Sequence, residues 1–282
     1  MRVGIVLLHR ALPPIVCALL TACATVAVPP LPKGDLPPAW RNAEASNAPA
    51  PDLHGWWKSF DDPQLNALID QALHDNLDVQ QAALRLRAAR ALESVAGAQY
   101  QPQLAFRTLS LPTPEAAANY FQAGFDAEWE LGLFGRRQAN NDVAAAEAGI
   151  AQAELQSARV SLVAEVARAY LQLRGAQARE WTLRNIADAS QDKLHLIELR
   201  EHLRLASQME VERAHAEAAH ARAALAEPRA QIAQAAQTLA LLLGRNAPPD
   251  DLLEPKPLPA SGRTGFDSVP ADLLRTRPEI AQ

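Results

Sequence analysis

One segment near the middle of the chain alternates apolar and polar residues over about a dozen positions. It begins at residue 120 with the sequence YFQAGFDAEWELGLFGRR. Strict alternation predicts a β-strand with one apolar and one polar face. The preceding stretch QLAFRTLSL, residues 103–111, predicts a partner strand, and turn residues between the two predict a hairpin. The apolar set is Phe121, Ala123, Phe125, Ala127, Trp129 and Leu131, and the polar set is Gln122, Gly124, Asp126, Glu128 and Glu130.

A strand of this length fits two environments. It matches a tilted transmembrane β-strand whose apolar side contacts lipid and whose acidic side faces water. A soluble hairpin that is half-buried against a protein core shows the same alternation. The pattern of residues alone leaves both interpretations open.

Most of the remaining chain predicts helix. From Arg136 to Gly244 apolar residues recur three and four positions apart, and many of them are alanine. Such spacing is the seam of a coiled coil, and alanine lets neighbouring helices approach closely. The seam positions are Leu162, Val166, Ala169, Leu173, Ala176, Leu183, Ala187, Ser190, Leu194, Ile197, Val211, Ala214, Ala218, Ala221, Leu225, Pro228, Ile232, Ala235, Leu239 and Leu242.

A turn is expected within residues 199–211. Ser207 can cap a new helix there, with Glu210 at the third position as in a capping box. This divides the region into a long helix over 136–204 and a returning helix over 205–246, which Pro228 should kink without ending. Within these bounds about 68 and about 37 residues would be helical, which at about 1.5 Å per residue gives lengths of roughly 100 Å and 55 Å.

Two shorter helices are predicted before the hairpin. Asp62 can cap the first, with Pro63 at its first position, and the second runs from about residue 77 to 98. On the first of these helices one face carries Leu65, Leu68, Ile69 and Leu73.

Residues 1–22 predict an export signal. Arg2 and Arg10 precede an apolar run, which is too short to span a bilayer as a permanent helix. The sequence LTAC, which ends at Cys23, resembles a bacterial lipobox, in which the cysteine receives lipid and becomes the first mature residue. An ordinary signal peptide with a chance cysteine is the alternative. Residues 23–55 are rich in proline and alanine and predict an extended, lipidated leader.

Composition and charge argue against several functions. A formal net charge of −5 provides no basic patch for nucleic acid. Two cysteines near the N-terminus give no disulfide framework. His195 with His202, and His215 with His220, lack the one-turn spacing of a metal pair. We therefore expect no enzyme activity, no cofactor and no metal.

Five stretches carry a resemblance to a known family. They are WWKSFDDPQLNALIDQALHDNLDV (56–79), AEWELGLFGRR (127–137), AEVARAYLQLRGAQ (164–177), TLALLLGRNAP (238–248) and VPADLLRTRPEIAQ (269–282). These stretches resemble the TolC-like outer membrane efflux family, specifically its lipoprotein branch of the OprM and NodT type. In that family each chain contains two repeats, and three chains form one twelve-stranded barrel on a helical tunnel.

The resemblance implies a fold that is mainly α with a transmembrane β-hairpin. A long α-helical hairpin would act as a coiled-coil tunnel element, and the strands would join an outer membrane β-barrel. ALHDNLDVQQ (72–81) aligns with LLRTRPEIAQ (273–282), so a second repeat begins there, and we expect half of the full fold in a truncated chain. The implied divisions are equatorial and first upper helices at 56–102, a barrel hairpin at 103–132, a long periplasmic helix at 136–204, a returning helix at 205–246, and a linker with the start of the second repeat at 247–282.

The implied function is that of a passive outer membrane channel lipoprotein in a tripartite efflux system for drugs or other small molecules. Its partners would be a periplasmic adaptor, an inner membrane transporter and outer membrane lipid, with a homotrimer for the full-length family. A periplasmic adaptor or structural helical-hairpin lipoprotein without a pore is the alternative.

Three sets of residues are candidates for that function. Cys23 would carry the lipid. Asp126, Glu128 and Glu130 would face the lumen. There they would either favour the passage of cations or only keep the inner face of the barrel hydrated. The adaptor-contacting tip would comprise Leu199, Arg200, Arg204, Leu205, Ser207 and Met209.

Two positions depart from the family pattern. Gly132 stands where the family usually has an aspartate. Arg204 stands where the family usually has a glycine, and a left-handed turn at an arginine would be strained.

Overall fold

The computed structural model describes residues 55–111 and 120–260. The predicted signal, the lipidation residue Cys23, nearly all of the leader and the second-repeat motif at 269–282 lie outside the described residues. The element bounds are α1 (Pro63–Asp75), α2 (Leu77–Val95), β1 (Gln103–Leu111), β2 (Tyr120–Glu128), α3 (Arg136–His202), α4 (Gln208–Ala223), α5 (Ala226–Leu242) and α6 (Asp250–Leu253), with 3₁₀ helices at Trp56–Phe60 and Ala98–Tyr100.

The chain divides into two compact units. Among the described residues, one unit comprises 91–111 and 120–146, and it contains the two strands. The other unit comprises 55–90 and 147–260, and it contains most of the helical core. Within the described ranges no helix is both long and apolar enough to cross a membrane.

The start of α1 confirms its predicted capping. The Asp62 carboxylate accepts hydrogen bonds from the backbone N–H groups of Gln64 and Leu65 at 2.8 and 3.1 Å. Pro63 occupies the first turn, where its missing N–H leaves no partner unsatisfied. Leu65, Leu68 and Ile69 are buried, so this face enters the core as predicted.

The predicted seam of the long helices is also confirmed. Every seam position over 162–242 is buried or half-buried. The main core consists of α1, α2, α3, α5 and α6 residues, and its fully buried members include Leu65, Val166, Leu173 and Leu239. A second, smaller cluster joins Leu194 of α3 to Ala214 and Ala218 of α4.

The returning segment is two helices rather than the single helix expected over 205–246. Ala224 and Leu225 separate α4 from α5 while keeping right-handed dihedral angles, with φ of −61° and −72°. Pro228 explains the interruption, because it has no N–H for the Ala224 carbonyl and its ring crowds that oxygen. The expectation that this proline would leave the helix continuous is therefore wrong.

Polar links join α3 to the returning helices outside the seam. Glu180 of α3 accepts a hydrogen bond from Arg229 of α5 at 3.0 Å. This hydrogen bond, together with one from Arg184 to the same Glu180 oxygen, holds the pKa of Glu180 below its usual range. Nearer the turn, His215 of α4 lies 3.3 Å from Glu198 of α3. These contacts fix the register in which the helices pack.

An arginine that the sequence reasoning missed lies at the centre of the larger unit. The Arg174 side chain is fully buried. Its guanidinium donates to the side-chain oxygens of Gln177 and Gln64 and to the carbonyl of Glu254, each at 2.7 Å. The guanidinium also lies 5.0 Å from the ring centre of Tyr170. These contacts tie α3 to the start of α1 and to the segment after α6.

Tyr170 extends this cluster, which we call the Arg174 clamp (Gln64, Tyr170, Arg174, Gln177 and Glu254). The Tyr170 hydroxyl donates to Asp62, the capping residue of α1, at 2.8 Å. Burial raises the pKa of this hydroxyl above its ordinary value, so its proton is held more strongly than that of an exposed tyrosine. The clamp therefore connects the cap of one helix to the buried face of another.

We predict that Arg174→Ala lowers the free energy of unfolding by about 3–5 kcal/mol, because a fully buried side chain is removed and one buried and two part-buried oxygens lose a donor. Urea unfolding followed by circular dichroism measures this change. Arg168→Ala is the matched control, since Arg168 is exposed on the same helix, and its effect should stay within about 0.5 kcal/mol. Equal effects of the two substitutions would contradict the clamp.

Candidate functional site

The β-hairpin exposes an apolar face. β1 and β2 pair antiparallel, with Phe106 opposite Phe125 and Leu104 opposite Ala127. Directly opposed residues share a face of the sheet, so these four side chains lie together. Leu104, Phe106 and Phe125 are 71%, 61% and 78% exposed, and the two rings meet edge to face at 5.3 Å. Side chains of this size normally need a hydrophobic surrounding.

The opposite face of the hairpin is polar. Asp126 and Glu128 lie on it as the sequence predicted, together with Gln103 and Arg107 of β1. Arg107 had not been considered. Its Nε lies 3.3 Å from the Asp126 carboxylate, and both side chains are exposed. One cation and two anions leave this described face with a small negative charge.

Glu130 differs from its predicted position. β2 ends at Glu128, so Glu130 follows the strand and forms an ion pair with Arg136 at 2.9 Å. Trp129 also leaves the strand, and its indole N–H donates to the Tyr100 carbonyl at 3.2 Å. The alternating sequence continues to Leu131, but these two contacts hold the chain outside the ladder. Glu130 is therefore separate from the Asp126 and Glu128 pair.

Gly132 explains one departure from the family pattern. Its φ is +54°, a left-handed conformation that favours glycine. A Cβ at this position would lie 2.8 Å from Cδ1 of Tyr100. An aspartate here would force the Tyr100 ring to shift, so the loop that leads into α3 favours glycine as it stands.

The turn between α3 and α4 is closed by a six-residue helix-ending motif. The N–H of Leu205 donates to the Arg200 carbonyl, and the N–H of Arg204 donates to the Glu201 carbonyl, both at 2.7 Å. This is a Schellman motif, which requires a left-handed residue just past the helix end. Arg204 is that residue, with φ of +60°. The strained turn expected at Arg204 is therefore present.

The same motif closes α5, with glycine in the left-handed position. Arg245 donates to Ala240 at 2.8 Å, Gly244 donates to Leu241 at 3.0 Å, and Gly244 has φ of +68°. A Cβ on Gly244 would lie 3.0 Å from the Asp75 carbonyl oxygen. The same helix-ending geometry therefore occurs twice. At Gly244 the left-handed position holds glycine, which it favours, and at Arg204 it holds an arginine.

The predicted capping box begins α4. The Glu210 N–H donates to the Ser207 hydroxyl at 3.3 Å, and the Ser207 N–H donates to the Glu210 carboxylate at 2.7 Å. The hydrogen bond from the Ser207 backbone, followed by that from its hydroxyl, holds the pKa of Glu210 below its usual range. Ser207 and Arg204 therefore shape the turn, one as a cap and one as a left-handed residue.

Several apolar side chains of the turn are exposed. The tip predicted from the sequence also includes Leu203, and its apolar members Leu199, Leu203, Leu205 and Met209 are 51%, 63%, 64% and 80% exposed. Arg200 lies beside them and donates to the Leu205 carbonyl at 3.3 Å. Four large apolar side chains within eleven positions form a patch that a protein partner could cover.

The described ranges contain no candidate metal site, and an open groove on α3 lacks the usual acid–base side chains. No group of three or more His, Cys, Asp or Glu side chains there could hold a metal ion. An open groove of about 630 Å³ on α3 is lined by Trp56, Leu171, Gly175, Arg168 and Arg179 among others. Its lining contains no carboxylate, imidazole or thiol.

Comparison with known proteins gives a consistent result. Residues 68–245 match the family described as Outer membrane efflux protein. The pyoverdine export outer membrane protein OpmQ of Pseudomonas putida is 31% identical, over 97% of this chain and 61% of its own length. Outer membrane protein OprJ of Pseudomonas aeruginosa is 30% identical, over 93% of this chain and 57% of its own.

The same relationship holds in three dimensions. The outer-membrane channel OprN superimposes with a TM-score of 0.76 at 32% identity, over 91% of this chain and 60% of that one. The likeness confirms a mainly helical fold of the outer membrane channel type. The chain spans about 60% of the length of these relatives. The placement of the strands in a membrane stays a prediction.

We predict that Arg204→Gly stabilises the chain by about 0.5–1 kcal/mol, because glycine removes the cost of the left-handed backbone. Gly244→Ala should have the opposite sign and lower stability by about 1–2 kcal/mol. Arg204→Ala is the control for the lost side chain and should change little, since it keeps a Cβ. Denaturant unfolding measures all three, and stabilisation by both Arg204 substitutions would contradict backbone strain as the cause.

Proposed function

This chain belongs to the outer membrane efflux protein family, and we propose that it forms part of the wall of a passive outer membrane channel for exporting drugs or other small molecules. The observation that carries the proposal is the hairpin, which exposes an apolar face on one side and a charged face on the other. No side chain performs a chemical step in this function. The channel would be the homotrimer of the full-length family, which receives solutes from an inner membrane transporter through a periplasmic adaptor.

Strand length and polarity support a membrane position for the hairpin. Each strand has nine residues, which matches the shortest strands that cross an outer membrane at a tilt. Lipid would cover Leu104, Phe106 and Phe125. Each strand has one described partner, so its other edge carries unpaired backbone groups that hydrocarbon does not tolerate. In the trimer of the full-length family, strands of the second repeat and of neighbouring chains would pair with these edges.

Residues just after β2 support a membrane–water boundary at this end of the hairpin. Trp129 and Phe134 are 60% and 85% exposed, and Arg136 and Arg137 follow directly. Aromatic side chains collect at the interfaces of membrane barrels, where the headgroups begin, and arginines can reach the lipid phosphates. The strand would therefore enter the lipid close to Glu128.

The charged face would line the water-filled lumen. Asp126 and Glu128 would attract cations, while Arg107 offsets part of that field. Because Glu130 pairs with Arg136 beyond the strand, it contributes to the mouth of the barrel rather than to its wall. The expected bias toward cations is correspondingly modest.

The tip would dock the periplasmic adaptor. Its exposed leucines and methionine suit burial against another protein, and the capping box and Schellman motif hold them on a defined turn. Lipid on Cys23 would anchor the chain in the outer membrane. A hairpin that is apolar on one face and charged on the other has no role in a pore-free adaptor or structural lipoprotein. We therefore prefer the channel to that alternative.

In a chain exported from an ordinary signal peptide with Cys23→Ala, so that no lipid anchor holds it, we expect Phe125→Arg to remove the chain from the outer membrane, because a cation on the lipid face costs up to about 2–4 kcal/mol, depending on its depth. The measurement is the fraction of chain in the outer membrane band of a density gradient. Gln103→Arg, which places the same side chain on the polar face, should fractionate like the wild type. If both variants fractionate like the wild type, the apolar face does not contact lipid.

Ion selectivity tests the lumen assignment. In planar bilayers with a salt gradient, Asp126→Asn with Glu128→Gln should shift the reversal potential toward anions, because fixed negative charge is removed from the wall. Arg107→Gln should shift it toward cations. A reversal potential that none of these substitutions changes would exclude the charged face from the conduction path.

A further inference from the structure

Arg204 combines two properties that rarely occur together. Its backbone is held in the left-handed region, where an L-residue with a side chain is disfavoured. Its guanidinium is exposed and makes no hydrogen bond or ion pair with any described residue. The side chain therefore makes no polar contact within the described residues that would offset the free-energy cost of its left-handed backbone. Strain of this kind is characteristically retained where it serves function.

The turn itself does not need an arginine. Gly244 closes α5 with the same two hydrogen bonds and nearly the same φ. A glycine at 204 would therefore give the same turn without strain. What glycine cannot supply is the positive charge.

The other charged groups of the turn are paired or half-buried. Glu210 is held by Ser207, and Arg200 donates to the Leu205 carbonyl. Glu198 lies against His215 on the neighbouring helix, and Glu201 is half-buried. Arg204 thus presents an unpaired charge among the exposed side chains of the tip.

We propose that Arg204 determines which adaptor the tip accepts, by pairing with an aspartate or glutamate on the docking loop of that adaptor. This inference rests on the proposed function, because it names the partner chemistry of the same docking surface. A guanidinium binds a carboxylate through two parallel hydrogen bonds, which gives directional selectivity that apolar contacts lack. The surrounding leucines exclude water, which strengthens the charge pair. An adaptor with a neutral or basic loop would leave the arginine buried and unpaired, and would be rejected.

The test uses the full chain expressed in its own bacterium with its adaptor and transporter. Leu203 is replaced by photoreactive benzoylphenylalanine, and the cross-linked adaptor peptide is sequenced by mass spectrometry. Arg204→Gly should reduce the cross-linking yield about three- to tenfold, while Arg204→Lys, which keeps both the charge and the strain, should reduce it less. Arg213→Gln is the matched control, since it removes an exposed arginine of α4 that pairs with Glu217, and the yield should be unchanged.

A charge exchange completes the test. Arg204→Glu should abolish cross-linking, and replacement of the acidic residue in the captured peptide by lysine should restore it. The proposal is overturned if Arg204→Gly leaves the yield unchanged or if the captured loop contains no acidic residue. Absence of an adaptor cross-link even with Arg204 intact would overturn the docking function itself, and this inference with it.

Discussion

α3 has 67 residues and must bury one continuous stripe of side chains along its length. The described fold depends on how other helices cover this stripe. Its seam is rich in small side chains, so α1, α2 and α5 can approach its backbone closely. Alanine loses almost no side-chain entropy on burial, which compensates for the small area that each contact removes from water. Specific polar contacts then fix the register, above all the buried Arg174, which holds residues from two other segments against α3.

Features that depend on neighbouring residues could be predicted from the sequence, whereas features that depend on residues far apart in the chain could not. The cap at Asp62, the capping box at Ser207 and the strand at 103–111 are local patterns, and the structure reproduces them. Arg174 could not be found in this way, because its partners Gln64 and Glu254 lie 110 and 80 positions away in the chain. The Tyr and Arg four residues apart on the seam side of α3 were the available signal. The end of β2 was misplaced for a similar reason, since Tyr100 and Arg136 decide where Trp129 and Glu130 lie.

The candidate site shows the same division. Alternation of polarity placed Asp126 and Glu128 on one face, but it could not reveal that Arg107 of the partner strand would lie beside them, because that requires the register of the hairpin. At the two departures from the family pattern, Gly132 and Arg204, both residues have left-handed backbones. Glycine makes such a position visible in a sequence. An arginine does not, and only the comparison with the family glycine indicated the strain.

The interruption before Pro228 separates two cores of unequal size. The larger cluster includes residues of five helices, whereas the cluster between α3 and α4 contains Leu194, Ala214 and Ala218, with Ile197 packed against it. Backbone amides near the turn are consequently protected from hydrogen exchange by a smaller opening energy than those around Leu173. We therefore expect the segment bearing the exposed leucines to open more readily than the larger core, and any protein that covers it to slow its local unfolding.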